Sequence, residues 1–482
     1  MARQPTHDLV VVVPGIMGSA LADRDGREVW GLSGAALRQG IRTFGRSVTG
    51  LTLPADLGDA HPGDGVRPTG LLRDLYALPG RWALVDGYSG LLDWLEASFT
   101  LRRRGAGEPA SAAANLVAFA YDWRLSCRFN AARLGAVVDE ELGRWRASAA
   151  ARRDARVVLV CHSMGGLVAR YWAECLGGHE TVRRIITLGT PHRGSLDALE
   201  TLVDGHGVGP RPVRAAITRL ARSLPSVHQL TPDYACLDSP GGLLYPRELP
   251  YALPGPDPAL LRDAGDFHAE IRDAARGRTG GTDPALVPIA GVLQPTATTA
   301  SVAGDGERLL VSTTAGLRAE GGDGTVPRLS AHPPGAAHGH TPCEQHGSLQ
   351  NNPGVRDSLW GLLAPAPAVY RDPAPRPVRL GVAAPAHLPA GERLELSVTA
   401  DGTPGGDRLA VAAVLHPAEG GPATSRTLRN RGAGRYGGVF PDPPRPGPYR
   451  LVVQAAGRPD AAVTALVMVG DGDPAEGRTA DA

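Results

Sequence analysis

The stretch Cys161-His162-Ser163-Met164-Gly165-Gly166 sets a serine among small residues. It directly follows the β-branched run Val157–Val160 and directly precedes an apolar, helix-like run, Gly165–Cys175. A serine hydroxyl is a weak nucleophile until a base takes its proton, and it must project from the backbone to be reached. A sharp strand–turn–helix bend projects it, and such a bend tolerates only small side chains two residues away. Gly165 meets that demand downstream. Upstream, Cys161 stands where glycine is usual and is small enough for the place. The same bend aims unpaired N–H groups at the helix start towards an oxyanion formed beside the serine, the Met164 N–H first among them. A serine on an ordinary glycine-rich turn would give a similar pentapeptide, and it is the flanking strand and helix that favour the nucleophile.

A serine of this kind needs an acid and a histidine further along the chain, the acid following a late strand. Gly322-Asp323-Gly324-Thr325-Val326-Pro327 offers Asp323 on a flexible loop. Asp305, in Gly304-Asp305-Gly306, sits between two strand-like runs where a turn alone explains it, so Asp323 is preferred. His332, His338, His340 and His346 all follow. His346 precedes Gly347-Ser348-Leu349 and the helix-like run Asn352–Leu363, so it is held at a loop-to-helix junction. The other three fall in a Pro/Gly/Ala-rich loop, and His346 is preferred as the base. His162 is expected to shape the bend or the pocket. A second oxyanion donor belongs in an early strand-to-helix loop, and Pro14-Gly15-Ile16-Met17-Gly18-Ser19 follows the first strand-like run. Met17 N–H is the expected donor, with Ile16 as the neighbouring alternative.

The elements that must position these residues alternate. Leu9–Val13 is apolar throughout, as a strand buried on both faces would be. Leu116–Tyr121 is a second short run, Asn130–Ser148 has helical periodicity, and Arg184–Leu188 and Val287–Leu293 are further strand-like runs. The βαβα order predicts a mostly parallel sheet with helices on both faces. Residues 192–285 break the rhythm and are rich in Pro and Gly, which predicts a cap or lid over the sheet's carboxyl edge. Leu220, Leu224, Leu230, Leu243, Leu244 and Tyr245 would form its core or line a pocket, core being preferred for each. The runs Thr296–Val302 and Arg308–Thr313 read as an antiparallel pair.

With 482 residues, the chain is expected to hold two domains. A Pro-rich linker at 366–377 separates the first, 1–365, from short alternating runs at 378–470 whose regular turn spacing predicts an all-β, immunoglobulin-like sandwich. Residues 471–482 read as a disordered tail. That sandwich has no evident ligand cluster; bracing is preferred for it over a recognition role, and its partner is unknown. The net charge of +1 gives no case for nucleic acid or an anionic membrane surface. All the basic residues are arginine, which reflects a bias in composition rather than phosphate binding. Five scattered cysteines without a CxxC pair argue against disulfides and against a metal site, and no cofactor is expected. Neither a leader core nor a membrane span is visible, so a cytoplasmic location and at most peripheral contact with a lipid surface are expected.

Together these residues resemble the lecithin:cholesterol acyltransferase-like branch of the α/β-hydrolases. The resemblance also takes in Asp86-Gly87-Tyr88, Ala120-Tyr121-Asp122-Trp123-Arg124, Ile186-Thr187-Leu188-Gly189-Thr190-Pro191-His192 and Gly291-Val292-Leu293-Gln294-Pro295-Thr296, in family order across residues 1–365. It implies an α/β-hydrolase fold with a mobile lid and an acyl-enzyme on serine. Ser163, Asp323 and His346 would then form the triad, and Met17 and Met164 the oxyanion hole. It implies a lipid or other acyl-ester substrate; Asp122-Trp123-Arg124 would be structural or pocket-lining rather than catalytic. Cleavage by water, as in a lipase or phospholipase-like esterase, is preferred to acyl transfer to an alcohol such as a sterol. A non-catalytic binding protein on the same scaffold is a third reading. The chain departs from secreted family members in lacking a visible signal segment and disulfides, and in carrying the C-terminal β-region.

Overall fold

The computed structural model describes residues 3–31, 50–73, 86–105, 108–109, 111–203, 205, 211–249, 253–277, 285–302, 309–312, 321–333, 336, 340–364, 378–401, 409–418 and 420–470. Asp305, His338, the 366–377 linker and the 471–482 tail lie outside the described residues.

Five parallel strands form the central sheet: β1 (Leu9–Val13), β2 (Leu116–Ala118), β3 (Val157–His162), β4 (Val182–Leu188) and β5 (Ala285–Ile289). Their order across the sheet is β5-β4-β3-β1-β2. The continuous apolar runs follow from burial on both faces. Leu9, Val11, Val13, Leu159 and Cys161 enter one core with the helix Cys127–Ala147. Val10, Val12, Val158, Val160 and Leu188 enter another with Ser89–Ser98 and Pro353–Leu363. Covering a parallel sheet on both faces in this way gives an α/β-hydrolase fold, with candidate site residues gathered at the strands' carboxyl edge.

Two smaller sheets sit around that edge. Ser19–Ala22 pairs with Glu28–Trp30 and Arg67–Leu71, all antiparallel. The expected pair after β5 is present as Thr299–Val302 with Leu309–Ser312. It joins Leu237–Ser239 and Gly242–Leu244 of the cap segment in one four-stranded sheet, apart from the central one. In the cap, Leu220, Leu224 and Leu230 are buried in core, whereas Leu243, Leu244 and Tyr245 are half-buried.

The C-terminal region forms sheets of four and five strands, mostly antiparallel. Residues of both, including Val382, Val398, Val411, Tyr436, Val453 and Val463, share one apolar core. Alternate residues of Glu395–Asp401 are buried and exposed, the period expected of a strand with one wet face. No helix among the described residues is long and apolar enough to cross a membrane.

Candidate active site

Ser163 lies at the end of β3, where the chain turns into the helix Gly165–Cys175. Its φ is +51°, a conformation that costs a non-glycine residue about 1–3 kcal/mol and persists only where surroundings enforce it. Here they do. Ser163 N–H donates to Leu188 O at 2.9 Å, and Ser163 O accepts from Gly166 N–H at 3.0 Å and from Thr190 Oγ1 at 2.8 Å. A side chain at Gly165 would collide with the Val13 and Pro14 carbonyl oxygens. Cys161 meets no such obstacle. Its side chain belongs to the apolar core beneath the sheet, and burial pushes its thiol pKa far up, so it stays a neutral, inert filler.

His346 stands at the start of the short turn His346–Asn351, the junction expected for it. Its Nε2 lies 2.9 Å from Ser163 Oγ and its Nδ1 2.7 Å from Asp323 Oδ2. A carboxylate only accepts, so Nδ1 carries the hydrogen and Nε2 is left to accept from the serine. The carboxylate is itself fixed. Asp323 Oδ1 accepts from Thr325 N–H at 3.0 Å and Val326 N–H at 2.7 Å, and Asp323 O accepts from His346 N–H at 2.8 Å. Asp323 is 1% exposed, and Ser163 and His346 are each 7% exposed. Of the other histidines proposed from sequence, His332 ends the short helix Arg328–Ala331 and His340 lies at the surface.

The loop from Pro14 to Ser19 is pinned by aromatic residues. Tyr121 O–H donates to Pro14 O at 2.9 Å, Trp30 Nε1–H donates to Met17 O at 3.0 Å, and Gly15 N–H donates to Tyr88 Oη at 2.9 Å. Met17 takes a φ of +60°, a second left-handed residue at the site. Neither the Met17 nor the Met164 N–H donates a hydrogen bond among the described residues, although Met164 is fully buried. Buried N–H groups held without partners suit an anion that forms only during reaction.

Sequence reasoning missed one connection. Tyr88 Oη lies 2.8 Å from His162 Nδ1, and His162 Nε2 lies 3.0 Å from His346 O. Since that carbonyl only accepts, Nε2 carries the hydrogen and Nδ1 accepts from Tyr88 O–H. Burial, with the charge of neighbouring His346, pushes the His162 pKa down to about 3, keeping it neutral. A chain of hydrogen bonds therefore runs from the Gly15 amide to the His346 backbone. Tyr88 is 73 and 74 residues from its two partners, and only its place in Asp86-Gly87-Tyr88 marked it. Within Asp122-Trp123-Arg124, the fully buried Arg124 guanidinium pairs with Asp122 at 2.7 Å and with Asp64 at 2.8 Å.

The acid and base loops also touch the C-terminal sheets. Gln294, which bridges to Gly322 and Asp323, donates through Nε2 to Leu380 O at 3.2 Å and accepts from Val382 N–H at 3.0 Å. Buried Glu344 accepts from Thr464 N–H at 2.7 Å and from Asn352 Nδ2 at 2.9 Å.

Residues 110–240 match the family model of lecithin:cholesterol acyltransferase, a span that includes Ser163 and Met164 and stops short of Asp323 and His346. Over that span the α/β-hydrolase fold carries a likeness to the lecithin:cholesterol acyltransferase family. No curated protein matches it at a significant level. Among solved structures, the chain is similar to lipase BlEst2 of Bacillus licheniformis in its mature form, at 15% identity and a TM-score of 0.37, covering 76% of this chain and 95% of the lipase. The propeptide form of that lipase gives 12% identity and a TM-score of 0.35 over 97% of this chain and 93% of the other. A CARDB domain from Pyrococcus furiosus covers 21% of this chain and 99% of its own length, at 12% identity and a TM-score of 0.15.

Proposed function

We propose that this chain is a serine esterase of lipase or phospholipase type, cleaving acyl esters through an acyl-enzyme on Ser163. One observation carries the reading: an unbroken hydrogen-bonded line from buried Asp323 through His346 to a serine held at positive φ. Ser163 Oγ attacks the ester carbonyl carbon while its proton passes to His346 Nε2. The carbonyl oxygen takes the negative charge beside the Met17 and Met164 amides. The C–O bond to the alcohol then breaks, and His346 returns the proton to the leaving oxygen. Water, activated by the same histidine, releases the acid and regenerates the serine. Asp323 holds the imidazole's tautomer and stabilises its charge. Each oxyanion amide is expected to lower the barrier by about 3–4 kcal/mol.

The family match over 110–240 favours a second outcome for the same acyl-enzyme, transfer to an alcohol in place of water. The expected substrate class is a lipid acyl ester in either case. Labelling by a fluorophosphonate, lost in Ser163→Ala, tests the nucleophile. Turnover of a labelled acyl ester with and without an added alcohol separates hydrolysis from transfer. Full esterase activity in Ser163→Ala would remove the basis of the reading, and absence of labelling in the parent would favour a binding protein.

A further inference from the structure

The net charge of +1 conceals a local excess of positive charge. A cavity of about 580 Å³ is formed where the cap segment meets the end of β4 and the helix Gly165–Cys175. None of the triad residues lines it, and neither does Met17 or Met164. Five of its ten lining residues are arginine, whereas the whole chain has 50 basic residues in 482, so a bias in composition does not account for the cluster. Asp233 is the one carboxylate in that lining among the described residues.

The cluster is assembled by the fold. Arg170 belongs to the helix Gly165–Cys175 and Arg193 follows β4. Arg247 lies in the short turn Pro246–Glu248, and Arg272 and Arg276 are one turn apart on the helix Pro258–Gly277. Asp233, 5% exposed, pairs through Oδ1 with Arg247 at 2.7 Å and through Oδ2 with Arg272. Arg276 pairs with Asp273 at 3.2 Å and Arg170 approaches Glu174 at 3.9 Å, but neither of those carboxylates lines the cavity. Burial, with the Arg170 charge, pushes the His192 pKa well down, so the histidine in the wall stays neutral. Guanidinium groups gathered in this way repel one another, and an anion among them relieves the repulsion.

The way these side chains are engaged names the kind of anion. Among the described residues, Arg247, Arg272 and Arg276 each hydrogen-bond through Nη1 to a carboxylate. The Nε and Nη2 edge of each is left to donate, and two N–H groups on that edge form a planar fork for two oxygens of one acid group. A carboxylate has two oxygens and is filled by one fork. A phosphate monoester has three terminal oxygens and close to two negative charges, so it can accept from more than one arginine at once. We infer that this cavity binds the phosphate group of a monoester, with Arg247, Arg272 and Arg276 as its donors and with Arg170 and Arg193 adding charge. The inference is independent of the esterase reading, since no lining residue takes part in the proposed reaction.

The test uses the full-length chain and two sources of the same group. In one arm, inorganic phosphate is titrated at constant ionic strength, with sodium chloride as the balancing salt, and binding is followed by calorimetry and melting temperature. In the other, the chain is sedimented with vesicles of phosphatidylcholine alone or mixed with phosphatidic acid, a lipid monoester. Phosphate is expected to raise the melting temperature beyond the chloride control. The double variant Arg272→Gln, Arg276→Gln leaves Asp233 paired with Arg247 and is expected to bind about tenfold or more weakly. Arg276→Gln alone changes a side chain that is 75% exposed, so it keeps the fold if the double variant does not, and it should weaken binding in the same direction. Phosphate binding without vesicle binding identifies a soluble monoester as the ligand. Sedimentation with phosphatidic acid and not with phosphatidylcholine alone, lost in the variants, identifies a lipid head group. No response to phosphate beyond chloride together with no vesicle binding, or binding unchanged in both variants, would overturn the inference. Because ester turnover is not the readout, failure here leaves the esterase reading untouched, and failure of that reading leaves this site standing.

Discussion

Tyr88 and His162 share a hydrogen bond of 2.8 Å whose direction is set by what each residue does at its other end. His162 donates from Nε2 to the His346 carbonyl, and the Tyr88 oxygen accepts the Gly15 amide. The loop from Pro14 to Ser19 and the turn that begins at His346 are thus tied together through one phenol. Tyr88→Phe keeps the ring and removes the oxygen, leaving the Gly15 N–H and His162 Nδ1 without partners in a site where Tyr88 is 1% exposed. Each orphaned buried group costs about 1–3 kcal/mol. The variant is expected to melt several degrees lower and to lose kcat about tenfold with KM little changed. Parent-like melting and turnover would mean that the phenol holds nothing in place.

Gly189 sits at the opposite side of the site, just past β4, with a φ of +60°. A Cβ there would lie 2.7 Å from Asp323 Oδ2 and 3.0 Å from His346 Nδ1, inside the space their hydrogen bond occupies. Gly189→Ala therefore pushes the acid and base apart and strains its own backbone as well. Displacing a reacting group by about an ångström costs on the order of 100-fold in rate. Steady-state kinetics should show a fall in kcat of that size, with fluorophosphonate labelling slowed in parallel. An alanine variant labelling at the parent's rate would show that the pair tolerates the methyl.

Most of the central architecture was legible in the residues. The helix Gly165–Cys175 has the expected bounds and Leu9–Val13 is β1, because a buried parallel strand leaves an uninterrupted apolar run and the elbow needs its small residues. His346 stood out by its junction with a helix-like segment, and its Nε2 lies 2.9 Å from Ser163 Oγ. The sheet of Ser19–Ala22, Glu28–Trp30 and Arg67–Leu71 did not stand out. Its strands are three to five residues long and one contains both proline and glycine, so no periodicity develops. The hairpin Thr299–Val302/Leu309–Ser312 was readable as a pair, but its partner sheet was not, since pairing with Leu237 depends on how the cap segment folds back. Tyr88 and Gln294 act through contacts 74 and 86 residues away in sequence, which no local pattern encodes.

The two oxygens of Asp323 have different duties, and this makes its amide isostere informative. Oδ1 accepts two backbone N–H groups and Oδ2 faces His346 Nδ1. In Asp323→Asn the amide oxygen is drawn to the two N–H groups, so the NH2 group faces the imidazole. Nδ1 must then accept, Nε2 carries the hydrogen, and it can no longer take the proton of Ser163. Loss of kcat by about 10⁴-fold is expected with the melting temperature nearly kept, since the backbone contacts persist. A variant within tenfold of the parent on a short ester would separate Asp323 from the reaction.

Glu344 and His162 make opposite contributions to stability as pH changes. His162 has its folded pKa pushed down to about 3 from 6.5, so its contribution is present in full above 6.5 and is lost as pH falls towards 3. Burial pushes Glu344 up to about 7 from 4.5, with the Asp86 carboxylate adding to the rise. Its contribution is complete below 4.5 and is lost as pH climbs through 7. Between 4.5 and 6.5 the two slopes oppose each other, and other buried histidines held low, His192 and His268 among them, add to the rising one. Glu344→Gln removes only the falling slope. The variant is expected to gain stability relative to the parent as pH rises from 4.5 to 7, by at most roughly 3 kcal/mol. It also sets its amide NH2 against the Asn352 Nδ2 that now donates to Glu344, a fixed cost at every pH. Melting curves taken across that range should therefore converge or cross as pH rises; parallel curves would mean that Glu344 ionises in the folded chain as it does in water.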